Sequence, residues 1–107
     1  MRFGAYAGRS CLIEGGWYLD VESASAGMFS GEPMDVYSHW PSFREWAADK
    51  DPFEGRPYQE TDLTCPVPAP SQIFAIGLNY RDHAKESAME VPDQPMVFTK
   101  YPSSLTG

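Results

Sequence analysis

An α+β fold built on antiparallel strands is the class the sequence predicts, on three observations. Three short runs rich in β-favouring residues, RFGAYA, SCLIE and WYLDV, open the chain and are separated by glycine-bearing turns. Trp40, Phe43, Trp46 and Ala47 then recur at helical spacing. Two further apolar runs, at 73–76 and 96–100, bracket a charged stretch.

The first three runs predict a small antiparallel meander. Gly8 and Arg9 are expected to turn the chain after the first run, and Gly15-Gly16 after the second. A two-residue hairpin turn needs positive φ at both positions, which glycine supplies at no steric cost. After a Ser/Ala stretch, the aromatic stripe predicts a short amphipathic helix over residues 41–50, with Ser42 and Glu45 at capping-box spacing behind Pro41. Such a stripe is core material, expected to pack on the meander. His39 has no carboxylate at a useful spacing and receives no role. Residues 51–64, polar and with two prolines, read as a loop.

Composition narrows the function. The chain has 107 residues, 42% hydrophobic and 14% aromatic, enough for one small core. Its net charge of −7 opposes nucleic-acid binding, which needs a basic surface, and no basic face suited to a membrane occurs. The N-terminal MRFGAYAGRS lacks signal-peptide order, so a cytoplasmic location is expected, with Cys11 and Cys65 as free thiols. Residues 1–64 carry eleven Asp and Glu against five Lys and Arg, whereas residues 65–107 carry four against three. At that change stands CPVPAPS, whose three alternate prolines remove amide donors and fix φ. The organisation expected is therefore a domain over 1–64, a connector over 65–71 and a second part over 72–107.

In that second part Ile73–Ile76 read as a strand buried on both faces. Gly77 permits close approach, and Asn79 is a competent N-cap for a helix over 80–89 that Pro92 and Pro95 terminate. Met96–Lys100 returns as a strand. On the helix His83 and Glu86 fall at i and i+3, on one face. Two readings stay open on spacing alone: an ion pair on a solvated surface, or a dyad in which Glu86 orients His83 and raises its basicity for proton transfer. A metal role for the pair is also conceivable, but two ligands are too few without others from outside this segment.

The segment IFAIGLNYRDHAKESAMEVPDQPMVFTKYPSSLTG resembles the start of the catalytic domain of the fumarylacetoacetate hydrolase family. Gly77, Asn79, Tyr80, His83 and Glu86 match a GxNYxxHxxE-like motif, and Pro92, Pro95, Phe98, Lys100 and Gly107 match the segment after it. Residues 1–64 are similar, more loosely, to the small N-terminal accessory domain of many members. The resemblance implies a β roll in a homodimer, using Mg²⁺ (or Mn²⁺ or Ca²⁺) on acylpyruvates, fumarylacetoacetate, 2-oxo-diene-dioates or oxaloacetate. It makes His83 and Glu86 the catalytic pair and Lys100 a candidate for binding the substrate anion, a solvated strand-end lysine being the alternative. The family's metal is held by an E-x-E pair and a later Asp, and no Glu-x-Glu follows Glu86 here. The sequence therefore reads as a meander with a short helix, followed by the first strand, helix and strand of a truncated roll: an inactive N-terminal fragment holding no metal of its own. Phe74, Ile76, Val97 and Phe98 are expected to lack partners. A noncatalytic accessory or oligomerisation domain is the alternative.

Overall fold

The computed structural model describes residues 1–77 and 94–105. The fold is α+β, and the chain divides into two units, Met1–Ala69 and Pro70–Leu105.

In the first unit the predicted meander forms: β1 (Arg2–Tyr6), β2 (Arg9–Glu14) and β3 (Trp17–Asp20) pair antiparallel. Gly15 and Gly16 both take positive φ, 55° and 85°, as the two-residue turn requires. The preceding turn is corrected: Ala7 and Gly8 carry the positive φ values, and Arg9 already belongs to β2, opposite Tyr6. Ala7 is held in this unfavourable region from outside, its amide donating to the Asp62 carbonyl at 2.8 Å.

The stretch 51–64 is more than a loop. β4 (Arg56–Pro57) pairs with β3 and β5 (Leu63–Thr64) with β1, giving the order β4-β3-β2-β1-β5. Two residues carry no periodicity, so only an already formed sheet edge can select these strands. Pro57 lies on the outermost strand, where a missing amide is tolerated. Pro52 is fully buried, in a 3-10 turn capped by Asp51.

Register fixes the core. Phe3, Leu12 and Leu19 lie directly opposite one another across β1, β2 and β3, hence on one face. Against that face pack Val21, Phe29, Val36, Phe43 and Ala47. Phe43 is 1% exposed, with Phe3 edge-on at 5.3 Å and Phe29 at 5.4 Å. Burying such a ring stabilises the fold by about 2–3 kcal/mol. Trp40 and Trp46 flank Phe43, both half-buried, so the expected packing of the stripe is met.

The helices differ from expectation in number and caps. α1 (Val21–Ala24) and α2 (Pro33–Ser38) precede α3 (Trp40–Ala47). Helix α3 begins at Trp40, which puts Ser42 inside its first turn, and its N-cap is His39 with no side-chain hydrogen bond. The capping box therefore does not form. Helix α1 is capped by Asp20, whose carboxylate accepts the Ser23 amide at 2.9 Å.

In the second unit β6 (Ile73–Gly77) pairs antiparallel with β7 (Met96–Lys100), from Gly77↔Met96 to Ile73↔Lys100. Strand β6 is not buried on both faces: Phe74 is 64% and Ile76 55% exposed, while Ile73, Ala75 and Gly77 are half-buried. No further described strand joins this ladder, and Phe74, Ile76 and Val97, which share one of its faces, stand exposed. Among the described residues no helix is long and apolar enough to cross a membrane.

Candidate active site

Of the three residues singled out for chemistry, Lys100 is described; His83 and Glu86 lie outside the described residues, as do Asn79, Tyr80, Pro92 and Gly107. Lys100 ends β7 opposite Ile73, exposed. It makes no ion pair or side-chain hydrogen bond among the described residues.

The ladder sets the spacing of this region. Residues 78–95, which include His83 and Glu86, join β6 to β7 at the Gly77–Met96 end. Lys100 stands at the other end, four residues or roughly 13 Å away along the strand. By alternation Lys100 shares its face with Phe98 and Met96, the face on which Ile73, Ala75 and Gly77 are half-covered. Gly77 has the close approach expected of it: a Cβ there would meet the Phe98 ring at 3.3 Å.

The first unit carries two polar constellations that sequence spacing missed. Arg9 binds Asp20 through Nε at 2.9 Å and Glu22 through Nη2 at 2.7 Å, joining the start of β2 to α1. Burial pushes the Asp20 carboxyl up, but hydrogen bonds from Arg9 and Ser23 outweigh it and hold it below the ordinary aspartate range. On the sheet face away from the helices, Tyr6 and Tyr18 stack at 4.3 Å, although β2 separates their strands. The Tyr6 hydroxyl donates to Asp62 at 2.9 Å, and that bond raises its pKa. Cys11, on the same face by register, is 1% exposed; burial pushes its thiol up to about 12, so it is no nucleophile. Both constellations tie strands to their neighbours. His39, with Nδ1 3.2 Å from the Asp35 carbonyl, likewise serves the α2–α3 junction.

Among the described residues no three His, Cys, Asp or Glu side chains converge as metal ligands would. These residues therefore do not fit a divalent ion.

No family model matches the chain. It is 42% identical over 76 residues to the oxaloacetate tautomerase YisK of Bacillus subtilis, covering 65% of this chain and 25% of that protein. To the fumarylacetoacetate hydrolase domain-containing protein 2 homolog of Dictyostelium discoideum it is 37% identical over 51 residues, 48% of this chain and 16% of the relative. A crystal structure from Mycobacterium smegmatis, of a protein provisionally assigned as HpcE, superimposes with a TM-score of 0.79 at 41% identity. That match covers all of this chain and 38% of the other. The chain thus spans a quarter or less of these curated relatives' length. Both units are matched in a solved structure at 41% identity, and the chain is similar in sequence to fumarylacetoacetate hydrolase domain-containing proteins.

Proposed function

We propose that this chain supplies the N-terminal accessory unit and the opening of the catalytic domain of an enzyme acting on a small 2-oxo acid, with oxaloacetate tautomerisation as the reaction. The likeness to the Bacillus tautomerase carries this reading. In it, β6 and β7 start a larger sheet, and the open face at Phe74, Ile76 and Val97 is where a further layer packs on that sheet.

The chemistry assigned to the segment after Gly77 is proton transfer. Neutral His83 takes a proton from C3 of the substrate; the C–H electron pair becomes the C2–C3 double bond, and the carbonyl oxygen gains the charge. The imidazolium then returns the proton to that oxygen, releasing the enol and regenerating His83. Glu86 accepts the other ring N–H, orienting the imidazole and raising its basicity. Lys100 attracts the substrate's carboxylates. A divalent ion, Mg²⁺, Mn²⁺ or Ca²⁺, held by ligands outside the described residues, would supply Lewis-acid stabilisation of the enolate. In a homodimeric hydrolase of acylpyruvate or 2-oxo-diene-dioate substrates, the same pair would activate water instead.

Enol formation followed by ultraviolet absorbance, on a protein carrying this segment at the length of its relatives, tests the reading. His83→Ala is expected to lower kcat by about a hundredfold or more, the scale of a lost general base, and Glu86→Gln to lower it less at unchanged metal affinity. Unchanged turnover in His83→Ala would leave an accessory or oligomerisation module as the role. For the 107-residue chain alone, calorimetry is expected to find no stoichiometric Mg²⁺ site and assays no turnover.

A further inference from the structure

The aromatic stripe of α3 is not wholly consumed by the core. Phe43 is buried, yet Trp40 remains half-exposed beside a groove of about 180 Å³ between the helix and β1. Phe3 and Trp40 give it an accessible apolar wall above the buried Leu12, Phe43 and Ala47, and its rim comes from Met1, Arg2, Arg44 and Ala48. The volume is comparable with the roughly 150 Å³ cavity that holds a benzene ring in an apolar core. The charge at the edge is unusual for this molecule. In a chain of net charge −7, two of the eight basic side chains meet here, and neither makes an ion pair among the described residues. Arg9, by contrast, is held by two carboxylates.

The geometry points to a binding site, in the first unit, for a small carboxylate with a ring-sized apolar body: the body lies in the groove against Phe3 and Trp40 and the carboxylate remains outside on Arg44. Apolar lining alone would accept any small hydrophobe. The unpaired arginines select an anion, because a guanidinium binds a carboxylate in a bidentate fork while staying in contact with water. The groove is open on one side, so affinity is in the millimolar range, as expected for a ligand of few atoms that is only partly enclosed.

The test uses the 107-residue chain with benzoate, benzyl alcohol and acetate as probes, followed by amide chemical shifts in NMR titrations. Benzoate is expected to shift Phe3, Trp40 and Ala48 saturably, benzyl alcohol to bind about fivefold more weakly, and acetate to give no saturable shift at those residues. Arg44→Gln, which keeps helix propensity, should weaken benzoate about fivefold and leave benzyl alcohol unchanged. Ala48→Trp, on the exposed rim, should block both. Benzoate shifts that do not saturate or that map elsewhere would overturn the site. So would benzyl alcohol binding as tightly as benzoate, or either variant leaving benzoate affinity intact. The readout is binding in the first unit, so it succeeds or fails independently of turnover.

Discussion

The two units solve the same problem with different success. In Met1–Ala69 a five-stranded sheet has one face covered by helices, and the aromatic rings Phe3, Phe29 and Phe43 meet edge-on at its centre. In the ladder of β6 and β7, with as strongly apolar a sequence, Phe74, Ile76 and Val97 stand 64%, 55% and 58% exposed. Of the ten large apolar side chains exposed among the described residues, seven belong to the second unit. Hydrophobic content is therefore not what separates them. A strand pair without a third layer has nowhere to put its side chains, and two strands alone are marginal in water.

The largest effect expected from breaking this contrast follows from exchanging equivalent substitutions. Phe43→Ala should destabilise the first unit by about 3–5 kcal/mol, since it removes a buried ring and leaves a cavity. Phe74→Ala should change stability by less than about 0.5 kcal/mol in this chain, because the ring is already in water. All three tryptophans lie in the first unit, so urea unfolding by tryptophan fluorescence reports that unit, and hydrogen exchange at β6 and β7 reports the other. Comparable losses from both substitutions would mean that the ladder has a cover of its own.

A smaller effect sharpens the same point. Val97→Lys places a charge on the open face, on the non-covered side of β7 by its pairing with Ile76. It should reduce self-association and binding of a hydrophobic dye while leaving the first unit's unfolding midpoint in place. Unchanged dye binding would show that the exposed apolar surface lies elsewhere.

The same contrast explains what the sequence disclosed. The meander was legible because each strand has its own β-favouring run and Gly15-Gly16 demands a turn. β4 and β5 were not, since Arg56–Pro57 and Leu63–Thr64 are chosen by the edges of β3 and β1. Helices α1 and α2 are too short to show a 3.6-residue period, and α1 depends on Asp20, the last residue of a strand. In the candidate site, the spacing of His83 and Glu86 was readable as local sequence. The position of Lys100 at the far end of the ladder depends on register between strands nineteen or more residues apart, which no local pattern encodes.

The smallest predicted effect concerns how the first unit closes. Asp20 caps α1 and binds Arg9, and these hydrogen bonds hold its carboxyl below the ordinary range against the cost of partial burial. A carboxyl whose pKa is lowered on folding contributes stability that is complete above its unfolded value, about 3.9, and disappears as pH falls through the lower folded value. Stability of the first unit should thus be insensitive to this group near neutral pH and decline below about pH 4. Asp20→Ala should cost about 1 kcal/mol at neutral pH, the usual scale of a lost N-cap. Asp20→Asn retains a capping oxygen but loses the charge, so it should stay closer to wild type at neutral pH and show a shallower decline in acid. Urea midpoints by tryptophan fluorescence across that pH range supply the measurement. If Asp20→Asn followed the wild-type acid slope, the ion pair to Arg9 would have no part in holding α1 against the sheet, and the decline would belong to other carboxylates of the unit.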